Sequence, residues 1–173
     1  MMKQTIAALT ILSLGAPAAL AHVTLEQQEA APNSTYKAVL RVGHGCGGEA
    51  TQKLRVRIPE GVIAVRPMPK AGWELELVTG AYAQSYDHYG TPVSEGVQEI
   101  VWTGELPDAH YDEFTFRARL TDAFAEGQML WFPVVQECAT AAERWIEIPA
   151  EGQSADDLQK PAAGLRITAP KGD

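Results

Sequence analysis

Histidine, methionine and cysteine are all scarce in this chain of 173 residues, and each scarcity removes a class of function. The four histidines, His22, His44, His88 and His110, never stand at the i, i+2 or i, i+4 spacing of a local zinc motif. Any metal site they form must be assembled by the fold. Of four methionines only Met68 and Met129 lie beyond residue 21, too few for a methionine-rich Cu(I) site. No histidine follows Cys138, so the Cys–His–Met order of a blue-copper centre is missing. There is no G-x-S-x-G, no H-E-x-x-H and no phosphate loop, and the carboxylates are scattered as surface charges usually are. On these grounds the chain reads as a non-enzyme. Positive charge is also short, with 14 Lys and Arg against 22 Asp and Glu and a net charge of −8. That balance argues against nucleic acid and against anionic membrane surfaces as partners.

One long apolar run is present, at the very start. Lys3 precedes Ile6, Leu9, Ile11, Leu12 and Leu14, and Ala19-Leu20-Ala21 forms a small-x-small cleavage site. Residues 1–21 therefore read as a secretory signal peptide cut after Ala21. Its loss removes Lys3 alone among charged side chains and takes the net charge from −8 to −9. No later stretch approaches the ~20 apolar residues of a membrane span, so no anchor is expected after cleavage. The expected location is the periplasm or the medium. Residues 22–150 are expected to form one domain, followed at 151–173 by a linker and a C-terminal strand or tail.

Helical periodicity is nearly absent and strand signals recur between turn residues. Strands are expected at Thr35 to Val42, Leu54 to Ile58, Val62 to Pro67, Trp73 to Val78, Val97 to Trp102, Phe114 to Leu120, Met129 to Gln136 and Arg144 to Ile148. Pro133 inside the seventh run predicts a bulge or a sheet edge. Leu165 to Thr168 reads as a last short strand. Gly43 to Gly48, with four glycines, predicts a loop, as do Gln84 to Glu95 and the turn Gly104 to Pro107. Ser154 to Gly164 reads as a mobile linker. The pattern predicts an all-β protein, a β-sandwich of immunoglobulin or cupredoxin type, with a closed barrel as the alternative. Cys46 and Cys138, an even pair in an exported chain, predict a disulfide joining the glycine-rich loop to the segment after Gln136.

Cleavage after Ala21 frees the α-amino group of His22. The amine and the imidazole Nδ1 of one residue then close a chelate ring on a metal ion, which no internal histidine can do. A second imidazole would complete a three-nitrogen T-shaped set suited to Cu(II). His44 is the best candidate, because the surrounding glycines let its loop approach closely. His88 and His110 read as ordinary loop residues. Of the tryptophans, Trp73, Trp102 and Trp131 read as core.

Several segments occur in an order that resembles the YcnI-like family of exported bacterial copper-binding proteins. They are Ala21 to Leu25, Asn33 to Tyr36, Arg57 to Val62, Met68 to Trp73, Glu99 to Gly104, Phe132 to Gln136, and Trp145 close behind. The resemblance covers nearly all of the chain beyond the leader. It implies a cupredoxin-like β-sandwich that holds Cu(II) through the N-terminal histidine, a carboxylate and a tryptophan. Carried onto this sequence, the histidine is His22 and the tryptophan is Trp145. At the place of the family carboxylate this chain has Gly43-His44-Gly45-Cys46. His44 is the expected substitute and Glu49 the nearby acidic alternative. The Cys46–Cys138 pair looks like a feature of a subgroup with this His-Gly-Cys loop. The implied role is copper homeostasis or periplasmic copper delivery, with the copper ion and another copper chaperone or cuproenzyme as partners. Two other readings stand beside it: a histidine-brace oxidase or monooxygenase, and an interaction sandwich without metal.

Overall fold

The structure is a computed structural model and describes residues 22–170. The expected signal peptide and its cleavage site lie outside the described residues. Strands follow in chain order as β1 (Thr24–Leu25), β2 (Glu29–Ala30), β3 (Ser34–Val42), β4 (Thr51–Arg57), β5 (Val62–Pro67) and β6 (Glu74–His88). They continue as β7 (Thr91–Leu106), β8 (Asp112–Leu120), β9 (Met129–Phe132), β10 (Val134–Glu137), β11 (Ala142–Trp145) and β12 (Ala163–Ile167). A single 3-10 turn, Ala155–Asp157, is the one helical element among the described residues.

Two sheets carry most of the chain. One has the order β1-β3-β8-β5 and the other β11-β10-β4-β7-β6, while β2-β12-β9 forms a small third sheet. Alternation puts Tyr36, Ala38 and Leu40 of β3 and Phe114, Phe116 and Ala118 of β8 inward, against Leu54, Val56, Ile100 and Trp102 of the facing sheet. Trp102 meets Phe114 edge-on with ring centroids 5.5 Å apart. Burial of each such large apolar side chain contributes about 1.5–3 kcal/mol. These facing sheets make the expected β-sandwich; β5, β6 and β11 remain open edges, so the sheets do not close into a barrel.

Several local expectations need correction. Gln84 to Glu95 is not a loop: Gln84–His88 and Thr91–Glu95 pair as the far end of the β6–β7 hairpin. Most side chains there are exposed on both faces, so the apolar–polar alternation that marks a half-buried strand is absent. Gly104 does not turn the chain, because β7 runs on to Leu106. The glycine lies under the Trp73 ring, where a Cβ would stand 2.5 Å from the indole. Pro133 ends β9, which pairs β12, and the chain crosses to the larger sheet as β10. The strand at Arg144 stops at Trp145, leaving Ile146 and Ile148 exposed.

The stretch from Ser154 to Gly164 is held in place. Its 3-10 turn is capped by Ser154 and Asp157, Lys160 reaches Glu143 at 2.5 Å, and Ala162 and Ala163 are buried. Beyond it Leu165 and Ile167 of β12 enter the main core. Ala162, Ala163, Leu165 and Ile167 are therefore packed with the sandwich.

Candidate metal centre

Strand pairing brings the two singled-out histidines together. Thr24 of β1 stands opposite Arg41 of β3. Two residues back along one strand and three forward along the other, His22 and His44 reach the same end of the sheet. The buried side chains of Val23 and Leu25 anchor β1, so His22 is held by its neighbours.

Trp145 joins them from the facing sheet. Its ring centroid lies 5.6 Å from that of His22 and 6.5 Å from that of His44, both edge-on. Three rings separated by long stretches of sequence thus share one corner of the sandwich. Trp145 is almost fully buried and its Nε1–H donates to Oε1 of Gln136 at 3.2 Å. The indole nitrogen is committed, so what Trp145 offers a bound ion is an apolar wall and a π-face.

The ring nitrogens are differently placed. Nδ1 of His44 lies 2.6 Å from the Gly45 carbonyl oxygen. A carbonyl only accepts, so Nδ1 carries the proton and the lone pair of a neutral His44 is on Nε2. Nε2 of His22 is buried and has no hydrogen-bond partner. A buried polar atom without a partner costs about 1–3 kcal/mol. A chelate through the amine and Nδ1 of His22 does not use this atom, so the fit to a nitrogen-seeking cation such as Cu(II) rests on that chelating pair and on the available lone pair of His44.

The His44 loop is fastened at four points. The Gly45 N–H donates to Oδ1 of Asp108 at 3.0 Å. Cys46 pairs with Glu49 in a two-residue bridge and is joined to Cys138 by the expected disulfide. A Cβ at Gly45 would stand 1.7 Å from the Glu49 carbonyl oxygen, so only glycine fits this crossing. The fourth fastening is Gln136 of β10, 1% exposed, whose Nε2 donates to the His44 carbonyl at 2.5 Å and to Oγ1 of Thr51 at 2.6 Å. Indole N–H only donates and the carbonyl only accepts, so the Gln136 carboxamide has one orientation that satisfies both.

Gln136, Asp108 and Thr51 were missed in the sequence. Gln136 did leave a signal: it occupies an inward position of a strand whose other inward residue is Val134. Gln136→Leu leaves the Trp145 indole N–H, the His44 carbonyl and the Thr51 hydroxyl short of a partner. The expected loss of unfolding free energy is about 2–4 kcal/mol, read by urea unfolding, with an increase in Trp145 mobility.

The remaining candidates lie elsewhere or are occupied. Both carboxylate oxygens of Glu49 accept from Thr140, one from its N–H at 2.8 Å and the other from its hydroxyl. The hydroxyl bond first, and then the backbone bond, holds this carboxyl below the ordinary carboxylate range. Glu49 thereby ties the Cys46 loop to the segment after Cys138. His88 ends β6 at the far hairpin tip, and His110 lies in the exposed turn after β7, where its N–H donates to the Pro107 carbonyl at 2.9 Å. Among the described residues no group of three or more His, Cys, Asp or Glu side chains is arranged to hold a metal. A set made of two imidazoles and a terminal amine falls outside that description.

No curated protein matches this sequence. Among solved structures, an uncharacterized protein from Nocardia farcinica with an immunoglobulin-like fold is similar at 20% identity and a TM-score of 0.63. The match covers 85% of this chain and 98% of that one, and it shows the fold. The fold is thus all-β and immunoglobulin-like. Across residues 22–167 the sequence matches one family, and the chain belongs to it: the family described as "Domain of unknown function (DUF1775)".

Proposed function

We propose that this protein is an exported Cu(II)-binding protein that buffers or delivers copper rather than transforming a substrate. The ion is held by the amine and ring of His22 and the ring of His44, with the Trp145 indole closing one side. The observation that carries this reading is the meeting of both histidines at one buried indole. The YcnI-like pattern of the sequence supports the same chemistry. Its donor set is nitrogen-rich and internal to one chain, which suits capture of Cu(II) outside the cytoplasm. The recipient on this reading is another periplasmic chaperone or a cuproenzyme.

Intact mass, Cu(II) titration and EPR on protein processed by its own leader test the proposal. The expected result is a chain beginning at His22 with a single tight site and nitrogen hyperfine structure. His44→Ala should lower affinity by about tenfold or more and remove one nitrogen from the spectrum. A chain that begins at His22 and ignores Cu(II) overturns the reading and leaves an interaction sandwich.

A further inference from the structure

A second cluster lies on the outer face of the β1-β3-β8-β5 sheet, and the copper reading makes no use of it. Arg117 of β8 stands directly between Lys37 of β3 and Arg66 of β5. Like charges directly opposite across strands repel and destabilise a sheet. Arg41, Arg55, Lys70 and Lys160 each have a carboxylate within 4.0 Å; the other eight described Lys and Arg have none, and four of these, Lys37, Arg66, Arg117 and Arg119, lie on β3, β5 and β8 of this one sheet. In a chain of net charge −8, this row of unneutralised cations is a local reversal of the overall field.

The hairpin tip closes a cavity against Arg66 and Arg117 of this row. Tyr89 and Gly90 turn β6 into β7 with φ of 54° and 81°, a pairing of positive values suited to a two-residue turn. Such turns favour Asn or Asp at the first position, and a tyrosine there costs about 1 kcal/mol. Tyr89 lies with its ring 4.4 Å from the Arg119 guanidinium and accepts from Nη1 of Arg119 at 3.2 Å through its hydroxyl. Arg119 also donates to Asn33, yet its Nε is buried and has no partner. Arg66, Arg117, Arg119, His88, Tyr89 and Thr35 line a cavity of about 180 Å³. The carboxylates at the far end of the hairpin are Asp87, whose Oδ2 accepts from the Gly90 N–H at 3.2 Å, and Glu95; neither forms an ion pair with these arginines.

We propose that this cavity binds a phosphoryl oxyanion, either a soluble phosphomonoester or the phosphate of a lipid headgroup. Guanidinium forks match phosphate oxygens two at a time, and the Thr35 and Tyr89 hydroxyls add neutral donors. The bound anion offsets the repulsion between Arg117 and Arg66, the two members of the row that line the cavity. That gives a physical reason for two arginines to stand opposite each other on one rung of a sheet.

The test is an NMR titration of the chain beginning at His22 with inorganic phosphate, against sodium chloride at matched ionic strength. Saturable shifts are expected at Thr35, Arg66, His88, Tyr89 and Arg117. Arg117→Gln should weaken binding about tenfold or more. In phosphate-free buffer the same variant should be at least as stable as the parent, because it removes the middle charge of the row. Shifts that do not saturate, shifts that chloride reproduces, or an Arg117→Gln variant with parental affinity overturn the proposal. Co-sedimentation with phosphatidylglycerol vesicles, retained by the parent and lost by Arg117→Gln, identifies the lipid headgroup as the source. Phosphate binding without sedimentation identifies the soluble phosphomonoester.

Discussion

A chain with residues left in front of His22 is expected to bind Cu(II) at least about a hundredfold more weakly than one that begins there, since loss of an outer-shell partner alone costs about 10–100-fold. The extension keeps the imidazole and converts the amine into an amide. An amide nitrogen is a poor donor until it loses its proton, so the chelate ring opens. The extension leaves the fold alone, because among the described residues the first buried side chain is Val23 and its packing is unchanged. Competition against a chelator of known affinity measures the loss, and an unchanged urea midpoint shows that folding is intact. His22→Ala should lose more than the extension, because it removes the ring as well. Equal affinity for extended and native chains rejects the amine as a ligand.

Removing the Cys46–Cys138 disulfide is expected to lower stability by about 4–5 kcal/mol on the chain-entropy account. The bond spans 92 residues with a Cα–Cα separation of 6.0 Å, so it closes most of the sandwich into one loop. Long loops leave the unfolded chain the most freedom to lose, which is why the effect is large. The double variant Cys46→Ser/Cys138→Ser, unfolded in urea beside the parent, measures it. A loss below about 1 kcal/mol contradicts the entropic account. The same variant reports on the site. Cys46 is two residues from His44, and the bond ties the His44 loop to the segment following Gln136. Without it the loop keeps the Asp108 and Gln136 hydrogen bonds and the Glu49–Thr140 pair. Hydrogen exchange at Gly45 to Gly48 should quicken more than exchange in β8.

Particular segments show where pattern reading succeeds. β4 and β8, and most of β3, bury alternate side chains on one face, and a period of two is visible wherever one face is wet and the other dry. The far half of the β6–β7 hairpin is wet on both faces, so nothing in its composition distinguishes it from a loop. β1 and β2 have two residues each and carry no period at all. The stretch from Ser154 to Gly164 has the polar, proline-containing composition of a linker, yet Lys160 and the buried Ala162 and Ala163 bind it to the sandwich.

By itself the sequence determined the all-β class, the disulfide pair and which histidines are candidates for a metal. Those follow from alternation, from cysteine count and from side-chain chemistry, which are local properties. Only the tertiary structure decided that His22, His44 and Trp145 share a corner, that Glu49 is occupied by Thr140, and that Gln136 joins the His44 loop to the indole. It alone also placed Lys37, Arg117 and Arg66 in one row. Such juxtapositions depend on strand order and register, which are settled by how two sheets bury their faces against each other. No window of sequence contains both partners of a pairing between distant strands.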